Sequence, residues 1–214
     1  MDYQKWILLA MELIGTIAFA ASGAMLGAEK KMDIFGVCVL GVVTSVGGGM
    51  IRDLVLGIVP PNVFQKPIYA LTATVTSCLV FFLLYLKREW LEGHFRKVYE
   101  KLLLIMDCIG LGIFTVMGVH AGIQQGYIEN MFLLVFLGTV TGIGGGIIRD
   151  MMAGVPPYVF VRHIYACASI AGAIICVLSY RVFGAVPSMM ASFLAIIFIR
   201  YLAVKYCWNL PRLK

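Results

Sequence analysis

Apolar residues in this chain gather into seven long blocks separated by short polar stretches, at positions 6–27, 34–51, 68–86, 102–120, 131–148, 164–182 and 185–204. Each block holds roughly 18 to 22 residues, the length an α-helix needs to cross hydrocarbon at about 1.5 Å per residue. The pattern predicts an all-α membrane protein with seven transmembrane helices. Ala18 to Ala24 form a small-residue cluster in the first block, as before a signal cleavage site, but Asp2 and Lys5 leave the preceding segment nearly neutral. Its glycines also recur later in the chain, so it reads as a true span.

Two polar interruptions stand out. Thr44 to Phe64 reads TSVGGGMIRDLVLGIVPPNVF, and Thr141 to Phe160 reads TGIGGGIIRDMMAGVPPYVF. The similarity extends outward: Gly15 and Gly23 match Gly110 and Gly118, Gly41 and Thr44 match Gly138 and Thr141, and Tyr69 matches Tyr165. Offsets between 95 and 97 residues mark a duplication with small loop indels. The chain reads as a single membrane domain over 1–214, with repeat one at 6–86, repeat two at 102–182 and an extra helix at 185–204. Three spans per copy force the second copy to enter the membrane upside down. Such inverted repeats carry their pathway between the two copies, near the midplane.

Composition agrees, with 61% hydrophobic residues, 13% charged and a mean hydropathy of +0.94. With the N-terminus outside, thirteen basic residues fall on the inner side (Lys30, Lys31, Lys87, Arg88, Arg96, Lys97, Lys101, Arg149, Arg162, Arg200, Lys205, Arg212, Lys214) and four outside (Lys5, Arg52, Lys66, Arg181). The expected topology is N-out and C-in. The net charge of +6 is mostly this bias, so no nucleic-acid partner is expected. Six cysteines scattered without a C-x-x-C pair show no metal or redox framework.

Three consecutive glycines lower helix stability by about 1 kcal/mol each relative to alanine, which predicts a helix break at Gly47, Gly48 and Gly49 and at Gly144, Gly145 and Gly146. Carbonyls released there, with the hydroxyls of Thr44, Ser45 and Thr141, are candidate ion ligands. The same glycines also form small-xxx-small ladders that explain close helix packing without a break. Arg52 with Asp53 and Arg149 with Asp150 are the most deeply placed charges, either lining a pathway or clamping a helix end. Adjacent helical residues diverge, so the expected pairing crosses the pseudo-twofold axis: Arg52 with Asp150 and Arg149 with Asp53. Glu12 and Asp107 are repeat-related intramembrane acids, His120 and His163 read as interfacial, and 87–101 reads as a charged connector loop. No nucleophile with a base, and no metal-ligand cluster, supports an enzyme.

Seven spans, a three-plus-three inverted repeat and the paired GGGMIRD and GGGIIRD motifs resemble the trimeric intracellular cation channel family, prokaryotic branch, over essentially the whole chain. The resemblance implies a homotrimer in a bacterial inner membrane, surrounded by membrane lipids, with one pore per protomer. That pore would conduct monovalent cations, potassium and sodium among them, without a cofactor. Helices two and five of the seven would line and gate it at the glycines and Arg-Asp pairs. Members of the same broad family also carry the label glycine transporter, so secondary transport of a small solute is the competing expectation.

Overall fold

Nine α-helices make up the described part of the computed structural model, which covers residues 2–87, 95–161, 164–206 and 208. They are α1 (Asp2–Glu29), α2 (Ile34–Val55), α3 (Asn62–Gln65), α4 (Ile68–Leu86), α5 (Arg96–Gln124), α6 (Met131–Met152), α7 (Tyr158–Val161), α8 (Tyr165–Phe183) and α9 (Ala185–Lys205). Seven are long and apolar enough to cross a membrane; α3 and α7 are single turns in equivalent places of the two repeats. Large apolar side chains such as Leu71, Leu79, Leu178, Leu194 and Phe198 point outward, as lipid contact requires. The protein is an integral membrane protein. Arg88, His94, Arg162, His163, Cys207, Arg212 and Lys214 lie outside the described residues.

The long helices overrun the apolar blocks. Helix α5 begins at Arg96, so the end of the charged connector is already helical, and α2 and α6 carry their Arg-Asp pairs within the final turn. Helix α5 is buried along most of its length because small residues let neighbours approach it. A Cβ added at Gly118 would lie 2.8 Å from the Gly138 Cα, and one added at Gly23 would lie 2.8 Å from the Gly41 Cα. The α1·α2 and α5·α6 contacts are thus built by the same residues in both copies.

The expected breaks at the glycine triplets are absent: α2 and α6 run as continuous helix through both. Here the triplets serve packing. Helices α2 and α6 cross antiparallel, with Gly48 against Thr141 and Gly145, and Gly145 against Thr44, so closely that a Cβ at either glycine would overlap a backbone carbonyl oxygen. The backbone carbonyls there remain in helix and are not released for ions, and the hydroxyls of Thr44, Ser45 and Thr141 donate to the carbonyls of Leu40, Val42 and Leu137. The helices end just past the Arg-Asp pairs, at Val55 and Met152. Gly57 (φ +70°) and Gly154 (φ +66°) take the left-handed conformation. The Ile58 and Val155 amides then reach back to the Asp53 and Asp150 carbonyls, closing each helix with a Schellman motif.

Candidate functional site

The antiparallel crossing sends the two Arg-Asp pairs to opposite ends of the bundle. Arg52 lies four residues beyond the crossing in one direction and Asp150 about five in the other, roughly 14 Å apart along the axis at helical rise. The expected cross-axis pairs therefore do not form. Each arginine folds back on its own neighbour: Arg52 donates through Nε (2.9 Å) and Nη2 (2.7 Å) to Asp53 Oδ1, and Arg149 through Nε (2.8 Å) to Asp150 Oδ1. Side-chain length defeats the rule that neighbouring helical positions diverge, which holds at the Cβ but not at a guanidinium. The other oxygen of each aspartate accepts the first backbone N–H of the following short helix, Asn62 for Asp53 (2.7 Å) and Tyr158 for Asp150 (2.8 Å). Each Arg-Asp pair thus anchors the Pro-Pro turn to its transmembrane helix. A double reversal, Arg52→Asp with Asp150→Arg, is expected to give no recovery over the single reversals when folded protein is measured by size-exclusion chromatography.

Around these pairs the two repeats build related clusters. Repeat one supplies Glu12 from α1, Gly49, Arg52 and Asp53 from α2, and Tyr69 from α4. Repeat two supplies Asp107, Gly146, Arg149, Asp150 and Tyr165 from α5, α6 and α8. Their states differ. The repeat-two cluster is closed: Arg149 is fully buried, its Nη1 donates to Asp107 Oδ1 (2.6 Å) and to the Ser22 hydroxyl, and its guanidinium lies 5.5 Å from the Tyr158 ring centroid. Arg200 of α9 adds a second cation, 4.8 Å from the Tyr165 ring centroid, with its Nε donating to the Cys108 sulfur (3.4 Å).

The repeat-one cluster is open. Glu12, Arg52, Asp53, Lys66, Tyr69 and His120 line a cavity of about 160 Å³, with Ser45 and Gly49 on its wall. Here the Tyr69 hydroxyl donates to Glu12, and Arg52 stays on Asp53. Gly47 and Gly144 lie at the crossing, against Ile148 and Ile51, and so do not face the cavity.

Some of this escaped sequence reasoning. His120, read only as a residue near a span end, is 8% exposed and part of the cavity wall. Arg200, counted only among the inner basic residues, is 2% exposed inside the repeat-two cluster. The paired Tyr69 and Tyr165 were visible as repeat equivalents, and their position beside the acids was the available signal. Cys38 and Cys78 bring their sulfurs to 3.4 Å between α2 and α4, a contact no local motif encodes. Among the described residues no three metal-ligating side chains gather.

Seven spanning helices, an inverted repeat and paired polar clusters on either side of a helix crossing define an integral membrane protein of duplicated three-helix plan. The chain belongs to the family whose profile is described as glycine transporter, matched twice, over residues 9–85 and 104–181, once per repeat. It is 36% identical to the UPF0126 inner membrane protein YadS of Escherichia coli, over 94% of this chain and 93% of that one. It is also 33% identical to the UPF0126 membrane protein YvgT of Bacillus subtilis, over 96% and 95%. Among solved structures it matches a prokaryotic TRIC channel crystallised in 0.5 M KCl, with a TM-score of 0.86 and 33% identity over 96% of this chain and all of that one. The trimeric intracellular cation channel orthologue from Rhodobacter sphaeroides gives 0.83 and 31%, over 94% and 99%. The chain is thus related to TRIC cation channels over nearly its whole length.

Proposed function

We propose that this protein is a monovalent-cation channel of the potassium type, with one permeation path in each protomer of a homotrimer. The path runs between the repeats beside α2 and α6. One observation carries the reading: a polar cavity is open at the Arg52 end, and the equivalent cluster at the Arg149 end is shut by an ion pair. A path open on one side and blocked on the other fits a channel with its gate closed, and the likeness to TRIC cation channels favours that over a transporter. Opening requires Arg149 to leave Asp107. In this reading the glycine triplets set the spacing of the two lining helices, and Arg52, Asp53, Arg149 and Asp150 hold the turns at the two mouths. The charge bias supports an outer position for the open cavity in a bacterial inner membrane, with the N-terminus outside and the C-terminus inside.

The purified protein in planar bilayers is expected to give unitary potassium currents. Silence under all voltages, together with saturable glycine uptake in proteoliposomes, would overturn the channel. The transporter reading draws on the family profile's description and on the same one-sided opening, which alternating access also requires.

A further inference from the structure

The two clusters share one plan but differ in what faces the acid on the first helix of each repeat. In repeat two the carboxylate of Asp107 holds a cation, the Arg149 guanidinium, at 2.6 Å. That guanidinium is drawn there by a second partner, the Ser22 hydroxyl of α1. The residue equivalent to Ser22 at the 95-residue offset is Met117, which lines the open cavity and offers no hydrogen-bond acceptor of comparable strength. Arg52 accordingly stays on Asp53, and among the described residues Glu12 makes no ion pair.

We propose that Glu12 is the anchor of a binding site for a hard monovalent cation in the open cavity. The mobile ion takes the place beside Glu12 that the tethered guanidinium of Arg149 takes beside Asp107. The inference rests on the cation-channel reading for its ligand class, but on the repeat comparison for its location.

The donors suit such an ion. The Tyr69 hydroxyl sits on Glu12, and the Thr16 and Ser45 hydroxyls on the cavity wall spend their hydrogens on helix carbonyls (2.8 Å each), leaving oxygen lone pairs. His120 also lines the cavity; its Nε2 pairs with the Gln124 amide at 2.9 Å, which holds the ring in the wall. A carboxylate inside a spanning helix that makes no ion pair among the described residues calls for a counter-charge. Lys66 is exposed at the cavity wall, and its charge keeps the site weak enough for an ion to leave.

The test is the thermal midpoint of the detergent-solubilised protein in potassium chloride against N-methyl-D-glucamine chloride at equal ionic strength. The wild type is expected to gain about 3 °C from potassium. Glu12→Gln should abolish the gain. Met117→Ser should abolish it too, with the acid intact, because the restored hydroxyl draws Arg52 onto Glu12 and fills the site with the protein's own cation. If Glu12→Gln does not fold, Met117→Ser alone decides. A wild type indifferent to potassium, or a full gain retained in either variant, overturns the site. Bilayer currents separate this from the channel reading: potassium currents without a Glu12-dependent gain would sink the site and spare the channel, and the reverse result would sink the channel and spare the site.

Discussion

Arg149→Met is expected to be among the most damaging single substitutions in this protein. Arg149 is fully buried and balances two buried carboxylates, those of Asp107 and Asp150. Removing one partner of a buried ion pair costs about 3–5 kcal/mol, because the remaining charge is left without compensation. Against a total stability of about 5–15 kcal/mol that is a large fraction. A fall of roughly 10 °C in the thermal midpoint follows, with loss of monodisperse protein on size exclusion. Asp107→Asn in the same chain should recover part of the loss, since it removes one stranded charge. Arg52→Met should cost distinctly less, because Arg52 is 11% exposed and its Asp53 faces a cavity that water can enter. Equal damage from the two arginine substitutions would contradict the open and closed assignment of the clusters.

Within the glycine triplets, neighbouring positions should behave in opposite ways. At Gly48 and Gly145 an added methyl would overlap the carbonyl oxygens of Thr141 and Thr44, backbone atoms that cannot turn aside. Gly48→Ala and Gly145→Ala must push α2 and α6 apart, at a cost of about 3 kcal/mol each. At Gly49 the nearest atom to a new Cβ is Arg52 Nη2 at 3.8 Å, an ordinary contact. Gly49→Ala should be tolerated and gain up to about 1 kcal/mol of helix propensity. Thermal midpoints of the three variants check this. A hinge at the triplet would make Gly49 as sensitive as Gly48, and that outcome would restore the helix break that the fold does not show.

These contrasts show where sequence reasoning reaches and where it stops. The seven spans were legible because a bilayer demands a minimum apolar length, and the inverted repeat because an odd number of spans leaves no other arrangement. The glycine triplets were ambiguous for a physical reason. The missing side chain that loosens a helix also lets another backbone approach, and only the partner decides which effect dominates. At Gly48 and Gly145 each triplet is the other's partner, and contact offsets the lost propensity. The real ends of α2 and α6 lie at Gly57 and Gly154, whose positive φ needs glycine and whose sequence surroundings were less conspicuous. The pairing of Arg52 and Arg149 was missed because helical geometry fixes the Cβ direction, and four further torsions carry the charge elsewhere. The difference between Ser22 and Met117 acquires meaning only once α1 and α5 stand opposite the arginines of α2 and α6.

Helix α9 occurs once, outside the duplicated segment, and its Arg200 enters just one of the two clusters. Two identical three-helix halves set head to tail would present the same chemistry to both sides of a membrane and would have no preferred sense. An unpaired seventh helix that adds a buried cation to one mouth removes that equivalence. It gives a molecule built from two related halves a front and a back, and with them a polarity that an exact duplication could not supply.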